Sequence, residues 1–389
     1  MTNITDWDNK KQSAGGHPHS AQKGNKRRRL GHQNAISRWN FTLLLLLCLV
    51  LGVTACSPGG NAAATAPSAT SATDETTDEA ENTPVETEPT PAEAVFPVTI
   101  SHKYGTTVIP EAPQRVVAIG YNEQDALLAL GIKPVAVRYW YGEAPFAIFP
   151  WAQDEAAGAE PEVMEMAWGE LNFEAILALD PDLISGVYSG ITEVEYQQLS
   201  LIAPTIAQSG DYIEFGMPWQ EMTKLVGQAV GKAEEAAALV DKVEAQFAAA
   251  RADNPAFAGK TIAVAYANGD GTYGFYTPED GRGRFFTNLG FTIPDELVEI
   301  AGDSFYAHIS QERLDVLDQD VIVFLGLQFL EGGRATIEND PLINQLEAMK
   351  EGRVVYVPLD CDDALQFGSV LSLEYALEGL VGLLAAATE

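Results

Sequence analysis

The chain has 389 residues, of which 46% are hydrophobic, enough for one large domain or two ordinary domains with a sizeable core. It carries 55 acidic and 23 basic residues, for a formal net charge of −32. That balance argues against a nucleic-acid-binding protein, which needs a basic face for the phosphates, and it favours neutral or cationic small partners. The three cysteines, Cys48, Cys56 and Cys361, are too few for a disulfide framework.

The first 55 residues are typical of a signal peptide. Residues 1–40 are polar and basic, and residues 41–55 form a continuous apolar run that is shorter than the roughly 20 residues of a membrane-spanning helix. Residues 53–56 (VTAC) resemble the bacterial lipoprotein box, in which the cysteine is lipidated and begins the mature protein. We therefore expect Cys56 to anchor the protein to the cell membrane on its extracytoplasmic side, in the periplasm or at the outer surface. An uncleaved anchor helix is the alternative.

Residues 56–94 are predicted to be a disordered linker. After Cys56 they are mostly Ser, Thr, Ala, Pro, Glu and Asp, and Val85 is their only large apolar residue. Such a composition buries too little apolar surface to offset the entropy lost on ordering the chain. The linker would give the folded part room to move against a membrane partner.

Residues 95–389 alternate between predicted strands and helices. An N-terminal lobe (95–215) contains strand 115–120, helix 122–130, strand 134–137, helix 172–179, strand 183–188, helix 192–202 and strand 205–208. A C-terminal lobe (254–389) contains strand 261–267, helices 284–289 and 311–317, strand 321–325, helix 340–349, strand 354–357 and helix 371–387. Alternation of this kind predicts an α/β fold with parallel sheets covered by helices.

Connecting helices are predicted between the lobes, over 216–253. The helical pattern covers 218–252, where Gly227 and Gly231 are candidate bends and Leu239, Val243 and Phe247 form an i, i+4 apolar stripe. At 1.5 Å per residue, the part after Gly231 would be about 33 Å long, which is enough to reach from one lobe to the other.

An internal repeat supports two similar lobes. Residues 174–184 (EAILALDPDLI) align without gaps on residues 312–322 (ERLDVLDQDVI), with five of eleven positions identical at an offset of 138. Both copies predict a helix, a tight Asp-x-Asp turn and a buried strand, so the paired acids Asp180 and Asp182 are interpreted as structural. Convergence of unrelated α/β units is the alternative explanation.

Three segments carry a family resemblance: residues 108–119 (VIPEAPQRVVAI), 172–184 (NFEAILALDPDLI) and 304–314 (SFYAHISQERL). Through them the chain resembles the extracytoplasmic solute-binding lipoproteins of ABC importers that carry ferric siderophores, over essentially all of 95–389. The resemblance implies two Rossmann-like lobes joined by a single long backbone helix, with a ligand cleft between the lobes. It also implies a monomer that passes an Fe(III)-siderophore, as cargo and not as a cofactor, to an ABC transporter permease.

Candidate ligand-binding residues follow the predicted strands, because open α/β sheets bind ligands beyond the carboxyl ends of their strands. Aromatic side chains such as Tyr121, Tyr266 and Tyr276 collect there, which suits a large and partly apolar chelate. The alternative role of each aromatic residue is ordinary packing. The alternative role of Arg282 and Arg284 is a salt bridge at the start of a helix. The selected candidates are Tyr139, Trp140, Trp168, Tyr188, Tyr273, Arg282, Arg284 and Tyr306, of which the resemblance implies that Trp168 and Tyr306 contact the ligand from opposite lobes.

Ligand charge separates two classes of siderophore. A ferric tris-catecholate carries three negative charges and needs several converging Lys or Arg residues, whereas the N-terminal lobe offers mainly Arg138 at the rim of the candidate cleft. Ferric hydroxamates are neutral or cationic and fit an acidic chain with aromatic strand ends, so the hydroxamate class is favoured. Cobalamin and haem stay open as alternatives on the same scaffold, with His308 as an axial haem ligand.

Neither a metal-binding site nor a catalytic site is predicted. After the signal segment only His102 and His308 remain, too few for the His–carboxylate cluster that binds zinc or manganese. A Gly-x-Ser-x-Gly nucleophile motif is absent from the sequence, and a lipid-anchored hydrolase is kept only as an alternative of a different class. Residues 268–271 (NGDG) are interpreted as a hairpin turn and not as a phosphate or calcium loop.

Docking to a permease is the other function that the resemblance implies. One acidic residue at the top of each lobe would pair with arginines of the membrane partner. Glu193 stands at the matching helix start in the N-terminal lobe, and its alternative role is to complement the helix dipole. In the C-terminal lobe the stretch around Arg284 is basic and departs from the pattern, which makes Glu279 the candidate there.

Overall fold

The computed structural model describes residues 96–167 and 169–389. The predicted signal peptide (1–55), the lipidation site Cys56, the linker over 56–94 and the candidate ligand contact Trp168 lie outside the described residues. Within the described part, no helix is both long enough and apolar enough to cross a membrane.

The N-terminal lobe is built on a five-stranded sheet whose strands are all parallel, in the order β5-β4-β3-β6-β7. The strand order reverses between β3 and β6, which creates the crevice where such sheets bind ligands. Two further strands, β1 and β2, form a separate antiparallel hairpin. The elements of this lobe are β1 (Val98–His102), β2 (Gly105–Ile109), β3 (Val116–Ala118), α1 (Glu123–Ala129), β4 (Ala136–Arg138), α2 (Gln153–Ala156), β5 (Glu162–Met164), α3 (Phe173–Ala178), β6 (Leu183–Gly186), α4 (Glu193–Leu199) and β7 (Thr205–Ala207).

Two helices follow the first lobe, α5 (Trp219–Ala229) and α6 (Ala233–Asp253). The predicted helical stretch is interrupted at Gly231, whose φ of 72° belongs to the left-handed region that favours glycine. Helix α6 has 21 residues and is therefore about 32 Å long. Its first turns pack into the core of the N-terminal lobe through Ala236, and its later turns pack into the C-terminal core through Val243 and Phe247.

The C-terminal lobe has a mixed five-stranded sheet in the order β10-β9-β8-β11-β12. Strands β8, β11 and β12 are parallel, as predicted, but β9 and β10 run antiparallel to their neighbours, which corrects the expectation of purely parallel sheets. The elements are β8 (Ile262–Ala267), β9 (Tyr273–Tyr276), α7 (Gly281–Asn288), α8 (Asp295–Ala301), β10 (Tyr306–Ile309), β11 (Val321–Leu325), α9 (Arg334–Glu338), α10 (Glu347–Lys350), β12 (Val354–Tyr356), α11 (Leu359–Phe367) and α12 (Ser372–Thr388).

Short 3-10 helices replace some predicted α-helices. The predicted helix 311–317 is a 3-10 helix, and 340–349 is divided into a 3-10 turn and α10. Leu346 is extended between these two pieces, and the carboxylate of Asp318 accepts the amides of Glu347 and Ala348 at 2.9 Å, which fixes the start of α10. The 3-10 helices are Pro145–Ala147, Pro150–Ala152, Pro255–Phe257, Gln311–Leu317, Leu327–Phe329 and Ile343–Gln345.

The residues between β8 and β9 form the predicted hairpin turn. The amide of Asn268 donates to the carbonyl of Thr272 at 2.8 Å, and β8 pairs with β9 directly across the turn. Residues 269–274 (GDGTYG) match the glycine spacing of a nucleotide-binding loop, but that loop requires a strand followed by a helix. This segment joins two antiparallel strands, so its glycines belong to a hairpin turn and not to a nucleotide-binding loop.

The internal repeat has the same structural role in both lobes. Asp182 accepts the amides of Gln114 and Arg115 at 2.7 and 2.8 Å, just before β3. Asp320, the equivalent residue in the second copy, accepts the amide of Thr261 at 2.9 Å, just before β8. In each lobe, therefore, the last acid of the Asp-x-Asp turn holds the entry to the central strand, which confirms the structural interpretation of these carboxylates.

The lobes meet along a seam centred on Phe367, the last residue of α11, which is only 2% exposed. Its ring centroid lies 4.7 Å from that of Phe149, 5.3 Å from that of Trp151 and 5.5 Å from that of Trp140, all three in the N-terminal lobe. The side-chain amide of Asn122 donates to the carbonyl oxygen of Phe367 at 2.6 Å. The C-terminal part of the chain thus returns to complete an aromatic cluster of the first lobe.

Candidate functional site

Four aromatic residues of the N-terminal lobe, Tyr121, Trp140, Tyr188 and Phe215, form a wall beyond the carboxyl ends of β3, β4 and β6. The ring of Tyr121 lies 5.5 Å from that of Trp140 and 6.3 Å from that of Phe215, and the ring of Tyr188 lies 5.2 Å from that of Phe215. The amide of Tyr121 donates to the carbonyl of Tyr188 at 3.2 Å and links the two strand ends. We call these four residues the N-terminal aromatic wall.

Arg138 supports this wall from behind and is not at the rim of the cleft, where the sequence placed it. It is 2% exposed, and its Nη2 donates to the backbone carbonyls of Ala167 and Glu170 at 2.9 and 3.2 Å. Its guanidinium carbon lies 4.6 Å from the centroid of the Tyr121 ring. Burial lowers the pKa of Arg138. Its hydrogen-bonding capacity is therefore directed at least partly to the protein backbone.

Glu123, the first residue of α1, fixes the position of the loop that carries Tyr188. Its side chain is fully buried, and its Oε1 accepts the amide of Tyr188. Burial raises the pKa of Glu123 to about 7, although hydrogen bonds from the backbone of Tyr188, Gly120 and Val187 oppose that rise. A carboxyl group that binds several amides at two strand ends acts as a positioning group for the wall.

The C-terminal lobe contributes a second aromatic group, which we call the C-terminal aromatic wall: Tyr266, Tyr276, Tyr306 and His308. The rings of Tyr266 and Tyr276 lie 4.9 Å apart, and the His308 ring lies 5.8 Å from Tyr266 and 5.4 Å from Tyr306. The phenols come from three adjacent strands, since β9 pairs with both β8 and β10. Burial raises the pKa of Tyr276 to about 12, so its hydroxyl is protonated and able to donate at neutral pH.

Arg282 and Asp280 form a bidentate ion pair beside this second wall. Arg282 Nε and Nη2 donate to the two carboxylate oxygens of Asp280 at 2.7 and 2.8 Å, and Nη1 donates to the hydroxyl of Tyr276 at 3.0 Å. Asp280 also accepts the amide of Arg282 as the N-cap of α7. Burial alone would lower the pKa of Arg282, but the charge of Asp280 and the neighbouring Tyr276 raise it well above its usual value.

The two walls lie within electrostatic reach of each other. Burial raises the pKa of Tyr188 to about 12; the charge of Asp280 adds to the rise, and those of Arg282 and Arg284 oppose it. The acting charges belong to the C-terminal lobe and the phenol belongs to the N-terminal lobe. Tyr188 and the start of α7 are therefore near enough for their charges to interact.

The structure places the other predicted ligand contacts in differing environments. Tyr139 is 37% exposed, and its hydroxyl donates to the carbonyl of Gly142 at 3.0 Å. Arg284 is half-buried and donates to the carbonyl of Glu279 at 2.9 Å. Tyr306 lies on β10.

Tyr273 is a correction to the predicted set. It is 2% exposed, packs against Phe324 in the core of the C-terminal lobe, and donates its hydroxyl to Asp340 at 2.9 Å. Side chains alternate along β9, and the neighbouring candidate with its ring in the C-terminal aromatic wall is Tyr276. We therefore exclude Tyr273 from the ligand-binding residues.

Sequence reasoning missed Phe215, Glu123 and Asp280. Phe215 has a φ of 60° and lies in an irregular loop, so no periodic pattern in the sequence predicts its position. Glu123 and Asp280 have the ordinary signature of acids at helix starts, and their burial depends on contacts with other segments. The Asp280–Arg282 pair could have been predicted from the sequence, because an acid at an N-cap lies close to the second residue after it.

Within the part of the chain that the structure describes, no group of three His, Cys, Asp or Glu side chains is arranged to hold a metal ion. His102 bonds to Thr107 at 3.0 Å in the N-terminal lobe, and His308 lies 3.3 Å from the Asn268 side chain. Cys361 is buried, and burial raises the pKa of its thiol to about 11. The site described here is therefore a set of phenols, rings and internally paired arginines.

Residues 116–360 match the protein family described as periplasmic binding protein. The probable siderophore-binding lipoprotein YfiY of Bacillus subtilis is 28% identical over 303 residues, covering 72% of this chain and 86% of YfiY. A periplasmic solute binding protein from Mycobacterium smegmatis is 35% identical with a TM-score of 0.66, over 75% of this chain and 99% of that one. PiaA of Streptococcus pneumoniae, solved in complex with ferrichrome, is 29% identical with a TM-score of 0.63, over 75% and 98% of the two chains.

Proposed function

Because this chain belongs to the periplasmic binding protein family, we propose that it binds a ferric siderophore of the hydroxamate class between its lobes and delivers it to an ABC importer. The family match confirms the resemblance found in the sequence, and the two α/β lobes confirm the predicted fold. The observation that carries the proposal is the pair of aromatic walls, one in each lobe, each with an arginine stacked on one of its rings.

The walls suit a bulky chelate whose surface is partly apolar. Aromatic rings provide broad contact area at a low entropic cost, and protonated phenols such as Tyr188 and Tyr276 donate hydrogen bonds to ligand oxygens. Hydroxamate and carbonyl oxygens around iron are acceptors of that kind. The iron itself arrives as part of the cargo, so the protein needs no metal ligand of its own.

Charge favours the hydroxamate class over catecholates. Arg282 is paired with Asp280, and Arg138 is 2% exposed with its Nη2 bound to backbone carbonyls, so a ligand would contact neither as a free cation. A ferric tris-catecholate with three negative charges would gain little to offset the loss of its hydration. PiaA, a relative with 29% identity, is known in complex with ferrichrome, which is a ferric hydroxamate.

Delivery completes the proposal. Lipidation at Cys56 would hold the protein at the extracytoplasmic face of the membrane, and YfiY is a lipoprotein by name. Glu193 is the exposed first residue of α4 and Glu279 is exposed next to α7, which suits docking to arginines of a permease. Replacing Glu193 with Arg should leave siderophore affinity unchanged and lower uptake through the cognate importer, whereas Glu174→Arg, at the start of α3 in the same lobe, should lower neither.

Intrinsic tryptophan fluorescence tests the ligand class, because Trp140 belongs to the N-terminal aromatic wall. The purified protein is titrated with ferrichrome, ferric enterobactin, ferric citrate, haemin and cyanocobalamin, and with each chelator free of iron. We expect saturable quenching at sub-micromolar ferrichrome, weakened in Trp140→Phe but not in Trp219→Phe, whose ring lies in the C-terminal core cluster. Quenching by haemin or cyanocobalamin alone would replace the cargo, and no binding across the panel would contradict the proposed function.

A further inference from the structure

Asp280 is placed to cancel the charge of the arginine nearest the C-terminal aromatic wall. Its two oxygens take Nε and Nη2 of Arg282 at 2.7 and 2.8 Å, in the bidentate geometry that makes such pairs strong. The Asp280 side chain is 9% exposed and that of Arg282 is 21% exposed. The pair is thus largely shielded from water, where opposite charges compensate each other most effectively.

The remaining donors of Arg282 are also partly used. Its Nη1 donates to the hydroxyl of Tyr276, and its guanidinium carbon lies 3.8 Å from the centroid of the Tyr276 ring. Of the five N–H groups of the guanidinium, three are therefore taken by Asp280 and Tyr276. Two N–H groups are left, on an ion pair that carries no net charge.

Asp280 contributes to the electrostatic balance around both walls, together with Asp362, whose charge also acts on Tyr276. Tyr188, in the opposite wall, is influenced by the negative charge of Asp280 and by the positive charges of Arg282 and Arg284. With Asp280 ionised, these three charges add up to one positive charge; without it they add up to two. A neutral chelate is tolerated with either net charge. An anionic chelate binds much more tightly when the net charge is two positive charges.

We propose that Asp280 sets the charge class of the siderophore: by pairing with Arg282 it makes the cleft accept neutral or cationic ferric chelates and reject anionic ones. This inference rests on the proposed function. Specificity of this kind comes from a repulsive element as much as from attractive contacts. The carboxylate repels a catecholate or citrate complex directly, and it removes the cation that would have offset the cost of desolvating that complex.

Two neutral variants test the inference while preserving the start of α7. Asp280→Asn keeps the size and shape of the side chain, and Asp280→Ser introduces a hydroxyl that can accept the amide of Arg282; both residues are good N-caps. Dissociation constants for ferrichrome, which is neutral, and ferric enterobactin, which carries three negative charges, are measured by tryptophan quenching. We expect the ratio of the enterobactin constant to the ferrichrome constant to fall at least tenfold in either variant. The gain in affinity for ferric enterobactin should shrink at high ionic strength.

Glu351→Gln is the matched control. It removes the same formal charge from another ion pair, in which Arg353 Nε donates to Glu351 at 2.8 Å. That pair precedes β12, at the edge of the sheet away from the strands' carboxyl ends. We expect the ratio of dissociation constants to stay at its wild-type value there.

The outcomes are distinct. A fall of the ratio in both neutral variants, with none in Glu351→Gln, supports the role of Asp280. Binding of ferrichrome with an unchanged ratio in both neutral variants overturns the inference and leaves the proposed function intact. Failure of the wild-type protein to bind any ferric siderophore overturns the proposed function and this inference with it.

Discussion

The central carbon of the Arg282 guanidinium lies 3.8 Å from the centroid of the Tyr276 ring. An equivalent relationship exists in the other lobe, where the guanidinium carbon of Arg138 lies 4.6 Å from the ring of Tyr121. Stacking of this kind adds cation–π attraction to the hydrogen bonds of the arginine and orients the ring. Each lobe therefore presents a phenol whose plane is set by a cation that is itself bound within the protein.

The ion pair beside Tyr276 should be costly to break from one side only. Arg282→Leu leaves the carboxylate of Asp280 largely buried without its partner, and we expect it to lower the free energy of unfolding by about 3 kcal/mol. The double variant with Asp280→Asn should recover much of that loss, because the uncompensated charge is gone. Urea denaturation of the two single variants and the double variant measures the coupling. Additive losses would show that the two residues do not stabilise each other.

Phe367 should contribute to stability and also to the fixed arrangement of the lobes. Phe367→Ala removes a ring that is 2% exposed and contacts Phe149 and Trp151, so we expect a loss of about 3–5 kcal/mol. Phe257→Ala is the control, since Phe257 stacks on Phe291 inside one lobe. Hydrogen exchange should rise along the seam between the lobes in the first variant only. Equal exchange at the seam in both variants would contradict a linking role for Phe367.

Gly190 should be intolerant of a side chain for a steric reason that Gly131 lacks. Both have positive φ, 68° and 73°, so alanine is strained at either position. A Cβ at Gly190 would lie 2.7 Å from the ring of Phe215, whereas nothing lies within 4 Å of a Cβ at Gly131. We expect each substitution to cost about 1 kcal/mol from backbone strain, and Gly190→Ala also to weaken siderophore binding by displacing Phe215. Equal affinities in the two variants would remove Phe215 from the proposed site.

The pH dependence of stability should reveal the buried carboxyl group of Asp125. Burial raises its pKa to about 7, and the charge of Glu155 adds to the rise, although hydrogen bonds from Ser369 and Trp151 oppose it. In the unfolded chain the pKa is about 4. Between these values the folded state holds a proton that the unfolded state has released. The free energy of unfolding therefore falls as pH rises from about 4 to 7, by up to about 1.4 kcal/mol per pH unit for this group.

Asp125→Asn removes that contribution while preserving the contacts. Ser369 Oγ and Trp151 Nε1 both donate to Oδ2 of Asp125, at 2.5 and 2.8 Å, and the amide oxygen of asparagine can accept both. Urea unfolding at several pH values should show a shallower decline in the variant. The decline persists in part, because burial also raises the pKa of Glu123 to about 7. Asp154→Asn controls for the loss of one charge at an exposed position, and an identical slope in Asp125→Asn and wild type would contradict the assignment.

The sequence predicted most of the fold because the relevant signals are local. Alternating strands and helices, the Asp-x-Asp turn at Asp182 and the hairpin turn at 268–271 each depend on residues that are near one another along the chain. The antiparallel strands β9 and β10 were not assigned: β9 has only four residues, although the hairpin turn implies an antiparallel partner for β8, and β10 begins thirty residues after β9. Pairing over that distance leaves no periodic signature in either segment.

The candidate site was less predictable, because its geometry depends on distant contacts. Whether Tyr273 or Tyr276 lies beside the cleft is decided by the orientation of β9 and by Asp340, 67 residues away, which binds the Tyr273 hydroxyl. The rim position expected for Arg138 failed for the same reason, since its partners Ala167 and Glu170 belong to the loop after β5. Positions at strand ends identify candidate residues, and only the tertiary structure shows which of them lie beside the cleft and which belong to the core.

The return of Phe367 to the first lobe has a consequence for biosynthesis. Trp151 is made 216 residues before Phe367, and at about 5–20 residues per second that interval lasts roughly 10–40 s. During this time the rings of Phe149 and Trp151 lack the residue that covers them. The nascent chain thus carries an uncovered aromatic surface until Phe367 has been made.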